Sequence, residues 1–104
     1  MTLQEYISFW QETYDKHQSR PTTYAAHNYV FKNHILPGLG DVLLSELTSE
    51  RVGEFLEERR RFGNHRPGNS GLGEETMRHI HRLLQQCMGQ AMRDGLIGDN
   101  PARA

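Results

Sequence analysis

Hydrophobic positions recur at three- and four-residue intervals along most of the chain, most clearly at Met77, Ile80, Leu84, Cys87, Met88 and Ala91. Advancing about 100° per residue, these six fall on one face of a helix, and Glu75, Arg78, Arg82, Gln86 and Arg93 fall on the other. The spacing predicts a helix over 74–93, the longest in the chain, stopped by Asp94-Gly95 with Gly95 in the left-handed C′ position. Thioether and thiol groups at this spacing read as packing rather than as a soft-metal site. Gly89 falls on the outer face, roughly opposite Ile80, where glycine costs about 1 kcal/mol relative to alanine. It reads as a tolerated surface glycine, with a close backbone approach by a partner as the other explanation.

The upstream pattern predicts three more helices. Thr2-Leu3-Gln4-Glu5 has the form of a capping box, and Leu3, Tyr6, Ile7, Trp10 and Tyr14 follow at helical spacing, which places helix one over 3–16. Trp10 on this stripe reads as a core or interface anchor. Pro21 with Thr22 and Thr23 starts helix two, over 22–36, which is expected to end before Pro37-Gly38. Its stripe of Tyr24, Val30, Phe31, Ile35 and Leu36 is interrupted by His27, Asn28 and His34, and a partly buried, hydrogen-bonded histidine is the expected reading. Thr48 is the expected N-cap of helix three, with Glu50 in its first turn and Val52, Phe55, Leu56 and Phe62 on its apolar face. Residues 63–73, with four glycines, read as a surface loop. Leu96-Ile97 folds back, and Gly98-Asp99-Asn100-Pro101 leads out. No strand alternation, internal repeat or heptad run is present, so the expected fold class is all-α, a compact orthogonal bundle of four main helices.

Composition narrows the picture. A chain of 104 residues is expected to form one domain, able to bury roughly two-thirds of its unfolded surface. No apolar run approaches the roughly 20 residues of a membrane span, and the amphipathic, acidic start is no secretion signal. Cys87 stands alone on an apolar face, which predicts a buried, reduced thiol in a cytosolic protein. The net charge of −1 supplies no overall pull toward nucleic acid, so any such function rests on how charge is distributed. Residues 1–50 carry three basic residues against six acids, and residues 51–104 carry nine, all arginine, against seven. Arginine's planar fork suits phosphate and guanine. Arg59-Arg60-Arg61 at the end of helix three fits either a helix-dipole role or phosphate contact.

Catalytic chemistry is not legible. His79 and His81 lie about 200° apart around their helix and cannot share a metal, and no Cys or carboxylate set completes a tetrahedral site. There is no phosphate-cradling glycine loop and no serine or cysteine in a nucleophile setting. No cofactor is expected.

A set of short motifs, in order, resembles the core-binding, SAM-like N-terminal domain of phage-type tyrosine recombinases (integrases). It comprises Trp10 in an aromatic first helix, Thr23 opening helix two, and His34-Ile35-Leu36-Pro37-Gly38-Leu39-Gly40 followed by Leu44 and Leu47-Thr48. Leu72 and Thr76 around the start of helix four, Ala91, Gly95-Leu96-Ile97 and Asn100-Pro101 complete it. The resemblance implies a DNA-binding domain spanning 1–104 that forms half of a clamp around double-stranded DNA at the core recombination site. It also implies that residues 98–104 begin the linker to a C-terminal catalytic domain, which carries the tyrosine nucleophile. Tyr6, Tyr14, Tyr24 and Tyr29 lie in the first two helices and do not match it, so no enzyme activity is expected of this chain alone. The parent protein is expected to be a tetramer on DNA, the lone domain a monomer, with no membrane partner and a cytoplasmic location in a bacterium or as a phage protein in a bacterial host. The DNA-contacting residues implied are Arg20, Thr22 and Thr23 around the start of helix two, and Thr76, Arg78, His79 and Arg82 in helix four. Glu74 and Glu75 depart from that surface in charge, and His27 stands where relatives carry an aromatic. The alternative reading is a helical protein-protein interaction module, favoured by the near-neutral charge and by Trp10.

Overall fold

Thr2 and Glu5 close the expected capping box: the Glu5 N–H donates to Thr2 Oγ1 at 3.2 Å, and the Thr2 N–H donates to Glu5 Oε1 at 2.8 Å. The Thr2 N–H first, and then the Thr2 hydroxyl, hold the Glu5 carboxyl below its ordinary pKa. The computed structural model describes residues 1–62 and 73–102, and among them the chain is all-α, with an isolated antiparallel bridge between Thr2 and Leu43 but no strand. Four main helical rods divide between two units, 1–46 and 47–104. The side chain of Phe62, residues 63–72 of the loop expected at 63–73, and with them Leu72 and its expected place at helix four, lie outside the described residues.

In the first unit, α1 (Leu3–Trp10) runs into a π segment (Gln11–Asp15) and then α2 (Lys16–Gln18). Leu3, Tyr6, Ile7 and Trp10 are buried, as the stripe predicts. Tyr14 was expected to continue the stripe and is only half-buried; Asp15 lies in the interior instead. The cause is the π turn, closed by Lys16 N–H to Gln11 C=O, which holds an extra residue and moves the buried position on by one.

The second rod comprises α3 (Pro21–Val30), a π segment (Phe31–Ile35) and α4 (Leu36–Leu39). Phe31, His34, Ile35 and Leu39 are buried, and Trp10 packs edge-on against Phe31 with ring centroids 5.8 Å apart. Contrary to expectation the rod does not stop before Pro37. Pro37 stands one residue after the π segment, in the first turn of α4, where a missing N–H is tolerated.

The segment 40–44 then closes over the start of α1. Leu3 N–H donates to Val42 C=O at 2.8 Å and Gln4 N–H to Gly40 C=O at 3.0 Å, so donors with no intrahelical partner are satisfied by the turn. A Cβ on Gly40 would lie 2.6 Å from Leu36 O, which explains the glycine there. Leu44, in a short 3₁₀ turn (Leu44–Glu46), is buried.

In the second unit, Thr48 Oγ1 accepts from Arg51 N–H at 3.1 Å, as expected of the N-cap of α5 (Ser49–Phe62). Val52 and Phe55 face inward. On α6 (Glu74–Arg93) all six residues of the predicted stripe are buried, joined by Leu83. The helix ends in a Schellman motif: Leu96 N–H donates to Ala91 C=O at 3.0 Å and Gly95 N–H to Met92 C=O at 3.1 Å, with Gly95 at φ 80°.

Gly89 corrects the surface reading. It is buried, because the residues after α6 return along the helix. Asn100 donates from Nδ2 to Gln85 C=O at 3.1 Å and accepts at Oδ1 from Ala102 N–H at 2.9 Å. His81 Nε2 lies 2.9 Å from Ala102 O, and since a carbonyl only accepts, this nitrogen carries the proton. Asn100 and Arg93 cover Gly89, and Pro101 and Ala102 are buried.

Candidate nucleic-acid interface

Arg20, Thr22 and Thr23 stand together at the exposed start of α3. Ser19 and Arg20 are both extended, at φ −105°, ψ 153° and φ −66°, ψ 155°, and make the connection between the first two rods. Pro21 at the helix start has no N–H to satisfy. The N–H groups of Thr22 and Thr23 precede the first intrahelical bond, Tyr24 N–H to Arg20 C=O at 2.8 Å, and no side chain caps them. A helix start with open donors, two hydroxyls and an adjacent arginine is suited to a phosphate.

In the second unit, Arg78, His79 and Arg82 are exposed on α6 and Thr76 is half-buried. Arg78 and Arg82, four residues apart, share one side of the helix, about 40° from each other. Arg78 also lines an open cleft of about 210 Å³ with Leu56, Arg60, Glu74, Met77 and His81. The first turn of α6 carries Glu74 and Glu75, and its N-cap, Gly73, offers no side chain.

Ion pairing separates the arginines. Arg59 pairs with Glu58 at 2.9 Å and lies over the Phe55 ring at 5.9 Å, Arg61 pairs with Glu57 at 2.9 Å, and Arg60 pairs with Glu74. Arg20, Arg78 and Arg82 have no ion pair among the described residues. All three belong to the expected contact set; Arg93, outside it, also has no ion pair among the described residues and donates to Gln90 Oε1 at 3.1 Å.

The side-chain roles of two residues escaped the sequence reading. Asp15 is 1% exposed, and its carboxylate accepts from Ser19 Oγ at 2.7 Å and faces His27 Nδ1 with both oxygens at 2.9 Å. That gives His27 the hydrogen-bonded, partly buried setting expected of it, beside the Trp10 ring at 6.2 Å. Asn100 is the second. The available signals were a lone acid next to an apolar stripe and an Asn-Pro pair after a helix, and neither says where the side chain binds. Among the described residues, no group of three or more His, Cys, Asp or Glu is placed to hold a metal ion, and no helix is long and apolar enough to cross a membrane.

The family model for the N-terminal SAM-like domain of phage integrase matches residues 2–58. That family covers the SAM-like domain and not a catalytic one. The chain is similar over 98% of its length to the integrase-like domain from Bacillus cereus, with a TM-score of 0.83, 24% identity and 79% of that chain covered. At that identity the likeness speaks for the fold alone. It is also similar to the phage integrase SAM-like domain from Moorella thermoacetica, with a TM-score of 0.78 and 26% identity over 98% of this chain and 80% of that one. No curated protein matches the chain.

Proposed function

Because the chain belongs to the family of phage integrase N-terminal SAM-like domains, we propose that it is a DNA-binding module that grips duplex DNA at a core recombination site. In this reading it forms half of a clamp and leaves phosphodiester chemistry to a C-terminal catalytic domain of the parent protein. The observation that carries it is the distribution of uncompensated charge: Arg20, Arg78 and Arg82 lack ion pairs among the described residues, whereas Arg59, Arg60 and Arg61 have them. A free guanidinium loses no partner on meeting a phosphate or the O6 and N7 of guanine.

The two exposed sets take different parts. Around the start of α3, the Thr22 and Thr23 N–H groups and hydroxyls bind backbone phosphate, with Arg20 alongside; such contacts fix register and carry no sequence information. On α6, Arg78 and Arg82 supply cationic forks and His79 a ring donor for the groove, with Thr76 at the edge of the set. Glu74 and Glu75 complement the dipole at the start of α6, and Glu74 is already engaged with Arg60.

Fluorescence anisotropy with an attachment-site duplex at several salt concentrations tests the reading. Affinity should fall with a log-log slope of about −0.9 per phosphate neutralised. Arg82→Glu should weaken binding and flatten the slope while leaving the helical circular dichroism unchanged. No detectable binding at low salt would overturn the proposal. A protein-interaction module remains the second reading, supported by Phe9 at 45% and Tyr29 at 61% exposure; it predicts that Arg82→Glu leaves the chain's associations unchanged.

A further inference from the structure

Among the charged residues described, Asp15 is the most deeply buried, at 1% exposure, and the proposed DNA contacts do not use it. It sits at the end of the first π segment, where the extra residue of the turn directs it inward. Its bonds reach the connection that follows the first rod and, through His27, the second rod. Ser19 Oγ donates to Oδ1 at 2.7 Å, Ser19 N–H donates to the Asp15 carbonyl at 3.0 Å, and His27 Nδ1 meets both carboxylate oxygens at 2.9 Å.

Ser19 and His27 bracket the segment 20–23. Ser19 is the last residue before it, and His27 lies one turn beyond it on α3. One carboxylate therefore ties down both ends of the stretch that carries Arg20, Thr22 and Thr23. A two-residue extended connection between helices has no internal hydrogen bonds to fix its path, so its direction is set by what holds its ends. A second tie, Gln11 Nε2 to Asn28 Oδ1, is long at 3.3 Å and exposed, and cannot replace the first.

Resting on the DNA-binding reading, we propose that Asp15 is a positioning residue for the phosphate-contact segment 20–23, acting through Ser19 and His27 without touching DNA. Buried charged groups that are fully hydrogen-bonded add little net stability but restrict the chain to one arrangement, and here the arrangement fixed is the start of α3.

Three variants of the full chain test this. Asp15→Ala removes both ties, Ser19→Ala removes one and keeps the fold readable if the first variant unfolds, and Asp15→Asn is the conservative replacement. The asparagine amide can accept from Ser19 Oγ and donate to His27 Nδ1 in the other tautomer. Expected results are a loss of duplex affinity of about tenfold for Asp15→Ala, a smaller loss for Ser19→Ala, and recovery of most of the affinity in Asp15→Asn. In a double-mutant cycle, Arg20→Ala should cost less in the Ser19→Ala background than alone, while Arg82→Ala should be additive with Ser19→Ala. Backbone amide shifts in the free protein give a readout independent of DNA, with changes from Ser19→Ala expected over 20–24. Wild-type binding with strict additivity of Arg20→Ala and Ser19→Ala would overturn the positioning role alone, as would unchanged amides over 20–24. Absence of wild-type binding would overturn the DNA reading and the proposal with it.

Discussion

Gly89→Ala is expected to stabilise the chain by about 1 kcal/mol, although the residue is buried. In a helix interior glycine is less favourable than alanine by roughly 0.8–1.0 kcal/mol, because it loses more backbone freedom on folding. Burial would cancel this gain if a methyl had no room. A Cβ on Gly89 would stand 3.6 Å from Asn100 Nδ2 and 3.7 Å from Arg93 Nη1, ordinary van der Waals separations, and both neighbours are side chains. The methyl therefore fills space under the returning tail, adding a contribution no larger than about 0.8 kcal/mol for one buried carbon. Thermal unfolding followed by circular dichroism should show a midpoint rise of about 4–8 °C. Gly89→Leu exceeds the available space and should displace Asn100, breaking its bond to Gln85 and releasing Ala102 from His81. A lowered midpoint for Gly89→Ala would refute the packing argument, and a Gly89→Leu variant as stable as Gly89→Ala would refute the tail's role as the cover.

Further outcomes follow from single contacts. Leu84→Ala, at a fully buried position on α6, should cost about 2–5 kcal/mol in urea unfolding, whereas Arg82→Ala on the exposed side should change stability by less than about 0.5 kcal/mol. Gly40→Ala should cost roughly 1–3 kcal/mol, since the 2.6 Å approach is to the backbone oxygen of Leu36 and Gly40's own carbonyl accepts from Gln4 N–H. For Glu5 the folded-state pKa is lowered, so its capping contribution is fully present above the ordinary value of 4.5 and is lost as pH falls through the lower folded value. Glu5→Gln should accordingly flatten the pH dependence of the unfolding midpoint in that acid window, and a variant that tracks the wild type through it would contradict the assignment.

Much of the architecture was legible because its causes are local. The Thr2-Glu5 box, the Thr48 cap and the Gly95 stop each depend on a few neighbouring residues, and a helical face such as that of α6 repeats often enough to survive one misplaced residue. The candidate contact residues were nameable only through the family resemblance, which implies the starts of the second and fourth helices; periodicity added that Arg78 and Arg82 lie on the outward face. Their freedom from ion pairs was not nameable. Arg60 pairs with Glu74 across fourteen residues of chain, and nothing in either neighbourhood distinguishes it from Arg78 or Arg82.

The sequence by itself determined the all-α class, the rods and their inward faces, because hydrogen bonding within a helix and the burial of its apolar stripe are read from spacing alone. Tertiary structure decided the phase of the rods and the fate of their polar residues. The two π turns shift the buried position by a residue, so that Asp15 is buried where Tyr14 was expected; the second rod continues through Pro37. Gly89 lies under Asn100 because residues eleven positions later return to it. A helix's phase and the cover over its outer face depend on which distant groups arrive to bond there, and that is settled only when the chain has closed on itself.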